Sequence, residues 1–193
     1  MPHAPDRASW LRLPDTADPA PAIAEMQAES LGRLGYVREF LKLPFEPDRL
    51  TLFQGYVNRL MRSDDCLLTG QERELISLVV SLENRCEACI LMHAGALQKL
   101  GMELRMVDVV RCNWRRAELS ARERALAVFA ADLTVQPGLA SEAALDALRE
   151  AGLEEAEILE AVQIVAIFNA TNRLNAALGV KIDGGSHDAF RGG

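Results

Sequence analysis

A chain of 193 residues, 49% hydrophobic and 25% charged, has the composition of an ordinary globular domain and needs no disulfide or metal to build a core. Its formal net charge of −7 argues against nucleic acid or an anionic membrane as partner, because both are held by basic surface. No run is apolar over the roughly 18 residues of a membrane span, and Met1–Arg7 lack a signal-like apolar core, so a cytoplasmic protein is expected.

Residues 1–21 hold five of the eight prolines (Pro2, Pro5, Pro14, Pro19, Pro21) and read as an irregular arm that Trp10, Leu11 and Leu13 would pin to the body. Helical spacing then begins with Ile23, Met26, Leu31 and Leu34, is punctuated by Pro44 and Pro47, and resumes with Leu50, Phe53, Val57 and Leu60. Further helices are expected over 71–84, 86–100, 103–111, 121–134, 141–150 and 155–178, and no period-2 strand interrupts them. The fold expected is an all-α, multi-helical bundle over residues 22–182, followed by a flexible tail over 183–193.

Thr69-Gly70-Gln71-Glu72-Arg73-Glu74-Leu75 resembles Ser120-Ala121-Arg122-Glu123-Arg124-Ala125-Leu126 at an offset of 51 residues, and the same offset lays Leu100-Gly101-Met102-Glu103 over Ala151-Gly152-Leu153-Glu154. Each copy opens on a hydroxyl residue followed by Glu, the pattern of a capping box, and each Gly suits a left-handed helix end. Two related helical halves, over about 69–119 and 120–178, are expected.

The chemistry concentrates in Cys86-Glu87-Ala88-Cys89-Ile90-Leu91-Met92-His93. On one helix Cys86, Cys89 and His93 fall at i, i+3 and i+7 and share a face. At a helix start, unpaired N–H groups and the dipole favour thiolate, and a Cys-x-x-Cys pair can close within a turn, capturing a sulfenic acid before it oxidises further. The imidazole of His93 suits proton transfer in either direction, and Glu74 on the preceding helix is the candidate to orient it. The positions 51 residues beyond Glu74, Cys86, Cys89 and His93 are Ala125, Pro137, Ala140 and Ala144, so the reactive groups belong to one copy.

Glu74, the Cys86-x-x-Cys89-x-x-x-His93 run and the order of segments from about residue 23 to 180, including Phe168-Asn169-Ala170-Thr171-Asn172-Arg173, resemble the alkylhydroperoxidase D family of the carboxymuconolactone decarboxylase superfamily. The resemblance implies a helical fold assembled as trimers or hexamers. It also implies Cys89 as the sulfur that attacks peroxide and Cys86 as its resolving partner, with Glu74 and His93 as a proton relay bridged by water. No cofactor is implied beyond an external thiol or dithiol reductant. Family members can carry a further His before the second Cys, where this chain has Ala88.

Other readings remain beside this one. Cys86 and Cys89 would also serve as half of a zinc site or as inert core thiols, although Cys66 and Cys112 stand singly and offer no second pair. The superfamily also includes lactone decarboxylases, which need no redox pair, and a non-enzymatic redox-sensing or metal-binding oligomer is a third class. Asn169, Asn172 and Arg173 interrupt an apolar helix and are expected to bond between helices or subunits. Met26, Met61, Met92, Met102 and Met106 read as core filler, His3 and His187 as tail residues, and Glu154, Glu155, Glu157 and Glu160 as a solvated face.

Overall fold

The structure, a computed structural model, describes residues 7–13 and 18–188. Pro2, His3, Pro5, Pro14 and tail residues 189–193 lie outside these, as does the side chain of His187. Among the described residues the protein is all-α, with no strand. The helices are α1 (Pro21–Leu34), α2 (Pro47–Arg62), α3 (Gly70–Glu83), α4 (Glu87–Lys99), α5 (Leu104–Asn113), α6 (Ala121–Val135), α7 (Glu142–Glu150), α8 (Glu155–Leu178) and α9 (Gly184–Asp188). Short 3-10 turns lie at Glu39–Lys42, Trp114–Arg116 and Pro137–Leu139. No helix of the described residues is long and apolar enough to cross a membrane.

The helices start where side chains satisfy their first N–H groups. Thr69 and Glu72 close a full capping box on α3, and Ser120 and Glu123 close the same box on α6. The turns that follow also correspond. Gly101 N–H donates to Gln98 O and Met102 N–H to Leu97 O, while Gly152 N–H donates to Arg149 O and Leu153 N–H to Leu148 O. Both glycines are left-handed, at φ 93° and 85°.

The core is built around α3, which packs against α4, α6 and α8. Leu75, Leu78, Val79 and Val80 are each 0% exposed, so α3 is apolar on nearly all sides and is enclosed accordingly. A second apolar cluster joins Ala8, Ile23, Phe40, Leu41, Leu43 and Leu50. It holds the first helix and the Glu39–Lys42 turn over the start of the bundle.

Trp10 lies against the body, its indole so close to Gly179 that a Cβ there would overlap the ring, although Trp10 and Leu13 are 56% and 58% exposed. Ala8 is also buried, Ala8 O accepts from Lys181 N–H at 2.8 Å, and Leu178 O accepts from Trp10 N–H at 2.9 Å. Two sequence expectations are corrected. Within the expected flexible tail, Gly184–Asp188 form α9: Asp183 and Ser186 are buried, Ser186 Oγ donates to Asp183 O at 2.6 Å, and Gly185 lets the backbone pass against Tyr36 where a Cβ would overlap its ring. Finally, the acidic run of α8 is not simply solvated. Glu160 is buried and accepts from Leu67 N–H and Leu68 N–H at 2.8 and 3.1 Å, and Glu157 pairs with Arg122 at 2.6 Å. Backbone donors left over between α2 and α3 explain the first of these contacts.

Candidate active site

The α3–α4 junction sets the site. Arg85 N–H donates to Leu82 O and Cys86 N–H to Ser81 O, the same hydrogen-bond pattern that ends α4 and α7, yet the left-handed position is Arg85 (φ 55°) rather than Gly. It is the one non-glycine residue with positive φ among those described. Left-handed backbone costs an L-residue about 1–2 kcal/mol, and such strain collects where function fixes the geometry. The turn is tight, so α4 begins at once: Cys86 occupies its N-cap and Cys89 its first turn.

Cys86 and Cys89 are free thiols, 4% and 2% exposed, with their Sγ atoms 2.9 Å apart. From α8, Asn175 Nδ2 donates to Cys89 Sγ at 3.2 Å. The helix start was expected to favour thiolate at both sulfurs, and here the structure differs. Hydrogen bonding from the Cys89 thiol, helped by the Cys89 backbone N–H, pulls the Cys86 thiol below the usual range. The Cys86 sulfur in turn pushes Cys89 well up, with burial acting in the same direction. Two negative charges this close repel, so one proton stays between the sulfurs and the first thiolate forms on Cys86.

One turn further along α4, His93 is 2% exposed, and its Nδ1 lies 2.7 Å from Glu74 Oε2 of α3. The water expected between Glu74 and His93 has no place in that direct contact. Phe168 of α8 meets the imidazole edge-on, with centroids 4.5 Å apart, and fixes the ring plane. With Nδ1–H donating to the carboxylate, Nε2 is left as the acceptor, and this buried atom has no hydrogen-bond partner among the described residues. The arrangement is a carboxylate-oriented imidazole with its basic nitrogen free, on the face that carries the two sulfurs.

His93, Glu74, Met92 and Phe168 line a cavity of about 130 Å³. A narrower gap of about 10 Å³ reaches Cys89, bordered by Arg38, Phe40, Met92, Asn175 and Asp183. That is room for a single water-sized molecule. Cys66 donates its thiol to Arg59 O and Leu60 O, Cys112 is exposed on α5, and both stand apart from the pair. Among the described residues no group of three or more His, Cys, Asp and Glu is arranged to hold a metal.

The four residues picked from the sequence therefore form two contacting pairs at α3 and α4, Cys86 with Cys89 and Glu74 with His93. Asn169 and Asn172 bond between helices as expected, Asn169 with Asn84 and Thr134 and Asn172 with Ser81. Arg173 returns to Asn169 on its own helix. Sequence reasoning passed over Asn175, although it continues the polar row three residues beyond Asn172. It also passed over Arg38, which only the folded N-terminal cluster brings beside Cys89.

Residues 47–112, which include Glu74, Cys86, Cys89 and His93, match the carboxymuconolactone decarboxylase family. Among solved structures, an uncharacterised peroxidase-related protein from Silicibacter sp. TM1040 superposes with a TM-score of 0.89 at 29% identity, covering 98% of this chain and 99% of that one. A second, described as an alkylhydroperoxidase AhpD core and peroxidase-related protein from Ralstonia eutropha JMP134, gives 0.85 at 27% identity over 93% of this chain and 94% of that one. Residues 47–112 thus match the carboxymuconolactone decarboxylase family, and the fold of the chain is AhpD-like. Among more distant AhpD-like folds, the debrominase Bmp8, solved with 2,3,4-tribromopyrrole, has a TM-score of 0.77 at 18% identity over 94% of this chain and 97% of that one, a likeness of fold alone. No curated protein matches.

Proposed function

We propose that the protein is a thiol peroxidase that reduces hydrogen peroxide or an organic hydroperoxide through a Cys86–Cys89 disulfide cycle. The observation that carries this reading is the placement of two free thiols 2.9 Å apart on the helix that holds the Glu74-oriented His93. His93 Nε2 takes the first proton from the thiol pair. Cys89 borders the gap beside Met92 and Asn175, so it attacks the peroxide as its own proton passes to Cys86. The terminal oxygen transfers to Cys89 as a sulfenic acid, and the alkoxide leaves with the proton held on His93. Cys86 then attacks the Cys89 sulfur and water departs. The balance is dithiol plus hydroperoxide giving disulfide, alcohol and water, with an external dithiol closing the cycle. The AhpD-like fold and its peroxidase-related neighbours support the assignment.

Thiol titration before and after one equivalent of peroxide provides the test, with two thiols lost and then recovered by dithiothreitol. Peroxide consumption should collapse in Cys89→Ser and Cys86→Ser while Cys66→Ser and Cys112→Ser stay active. Equal activity in all four overturns the reading. Lactone turnover that survives loss of both site cysteines would replace it with decarboxylase chemistry.

A further inference from the structure

We infer that Arg33, Arg38 and Arg62 form a built subsite for a small organic carboxylate at the mouth of the His93 cavity. The inference rests on the peroxidase reading only in naming the substrate, a hydroperoxide that carries a carboxylate. The chain as a whole has a net charge of −7. Its charge is inverted at this cavity, where Arg33, Arg38, Arg62 and Lys99 face a single lining acid, Glu74, and that acid is engaged by His93.

The three guanidiniums come from separate elements: Arg33 from the end of α1, Arg38 from the loop after it, and Arg62 from the end of α2. They are poorly neutralised. The guanidiniums of Arg33 and Arg38 show no hydrogen bond or ion pair to any described residue, and Arg62 reaches only Asn58 Oδ1 and, at 3.8 Å, Glu29. Burial and then the neighbouring Arg38 charge lower the pKa of Arg33; burial and then Arg33 lower that of Arg62. Three like charges gathered around one cavity, with Glu29 and Glu74 as the acids that partly offset them, are relieved further by an anion, and the planar guanidinium fork matches a carboxylate in two parallel hydrogen bonds.

Size and walls narrow the ligand further. At about 130 Å³ the cavity is close to the roughly 150 Å³ of an apolar cavity known to accept benzene. Val57, Met61, Met92 and Phe168 supply apolar wall, so an anion with a ring or a short hydrocarbon body fits where bare phosphate would leave them unfilled. Arg38 and Met92 border both this cavity and the gap at Cys89. A molecule anchored on Arg38 therefore lies beside the reactive sulfur.

Calorimetric titration of the Cys86→Ser/Cys89→Ser protein with benzoate and with benzamide reads binding without any chemistry. Benzoate should bind at least tenfold more tightly, weaken as salt rises, and lose its advantage in Arg33→Gln/Arg62→Gln, whereas Arg149→Gln on α7 should keep it. Benzoate binding no tighter than benzamide, or absent because a second copy of the chain fills the subsite, overturns the inference. With the cysteines intact, KM for a carboxylated aryl hydroperoxide should be about tenfold below that for neutral cumene hydroperoxide. Equal KM values with brisk turnover of both overturn the carboxylate preference and leave the peroxidase standing. Benzoate binding without turnover of any peroxide supports the subsite and removes the peroxidase.

Discussion

The half of the bundle running from Thr69 and the half running from Ser120 are started and turned by the same local chemistry, but only one carries the cysteine pair and the Glu–His pair. Both open on a Ser/Thr–Glu capping box and both turn at a left-handed glycine with matching hydrogen bonds. The first half then carries Glu74, Cys86, Cys89 and His93, where the second has Ala125, Pro137, Ala140 and Ala144. Cover differs as well. The Cys pair and His93 are at most 4% exposed beneath the Glu39–Lys42 turn and the segment around Asp183, whereas Leu139 at the corresponding place in the second half is 74% exposed. One helical frame thus tolerates either a buried reactive face or an open one. What distinguishes them is the supply of polar groups and the chain ends folded over the first.

Removing the polar groups should erase the difference most completely. His93→Ala, which restores the alanine of the second half, is expected to lower kcat/KM for peroxide by about 10²–10⁴, the usual range for a lost general acid–base group. Glu74→Gln keeps the ring in place but weakens its orientation. A smaller fall is expected there, mostly in kcat, with a changed pH–rate profile. Wild-type rates in His93→Ala would make the imidazole a packing residue.

The next largest effect concerns the thiols themselves. Because the Cys89 thiol is the main cause of the lowered Cys86 pKa, Cys89→Ala should move the pH midpoint for alkylation of Cys86 upward, slowing its reaction with iodoacetamide near neutrality. An unmoved midpoint would assign the lowering to the helix start alone.

Much of this organisation was legible beforehand because it is local. Capping boxes, helix-ending glycines and the i, i+3, i+7 spacing of Cys86, Cys89 and His93 are encoded within a few residues of where they act. Glu74 was reachable because it lies on the adjacent helix. Asn175, Arg38 and Asp183 were not: they reach Cys89 from α8, the α1–α2 loop and the chain's end, and nothing in their local sequence marks the convergence. Glu160 was misread for the same reason, since its partners, the N–H groups of Leu67 and Leu68, lie more than 90 positions away. Charge sharing between the two sulfurs needed their separation, which spacing alone leaves open.

The turns offer a gentler test. Gly152 has φ 85° and open space where a Cβ would stand, so Gly152→Ala should cost about 1 kcal/mol from backbone strain alone. At the equivalent hydrogen-bonded turn before α4, Arg85→Gly should have the opposite sign, stabilising by about 1 kcal/mol less the added freedom of the unfolded chain. Denaturant midpoints with unchanged m-values would measure both. If Arg85→Gly is more stable but slower with peroxide, the strain is what holds Cys86 in place. Should it be more stable and equally fast, the left-handed arginine has no part in the chemistry.

The smallest effect tests the cover. Asp183 accepts from Glu39 N–H at 2.6 Å, and burial raises its pKa above the ordinary carboxylate value. A raised folded-state pKa means the folded protein holds its proton more tightly than the unfolded chain. The favourable contribution is complete below the unfolded value and is lost as pH climbs through the folded one. At neutral pH the ionised carboxylate is therefore a burden on the fold. Asp183→Asn keeps the accepting oxygen and removes the charge, so it should be the more stable protein at pH 7, with its advantage shrinking toward pH 4. No gain at pH 7 would mean that Arg38 and Lys42 already compensate the charge, and that the chain's end is bound over Cys89 by ion pairing instead of by the Glu39 hydrogen bond.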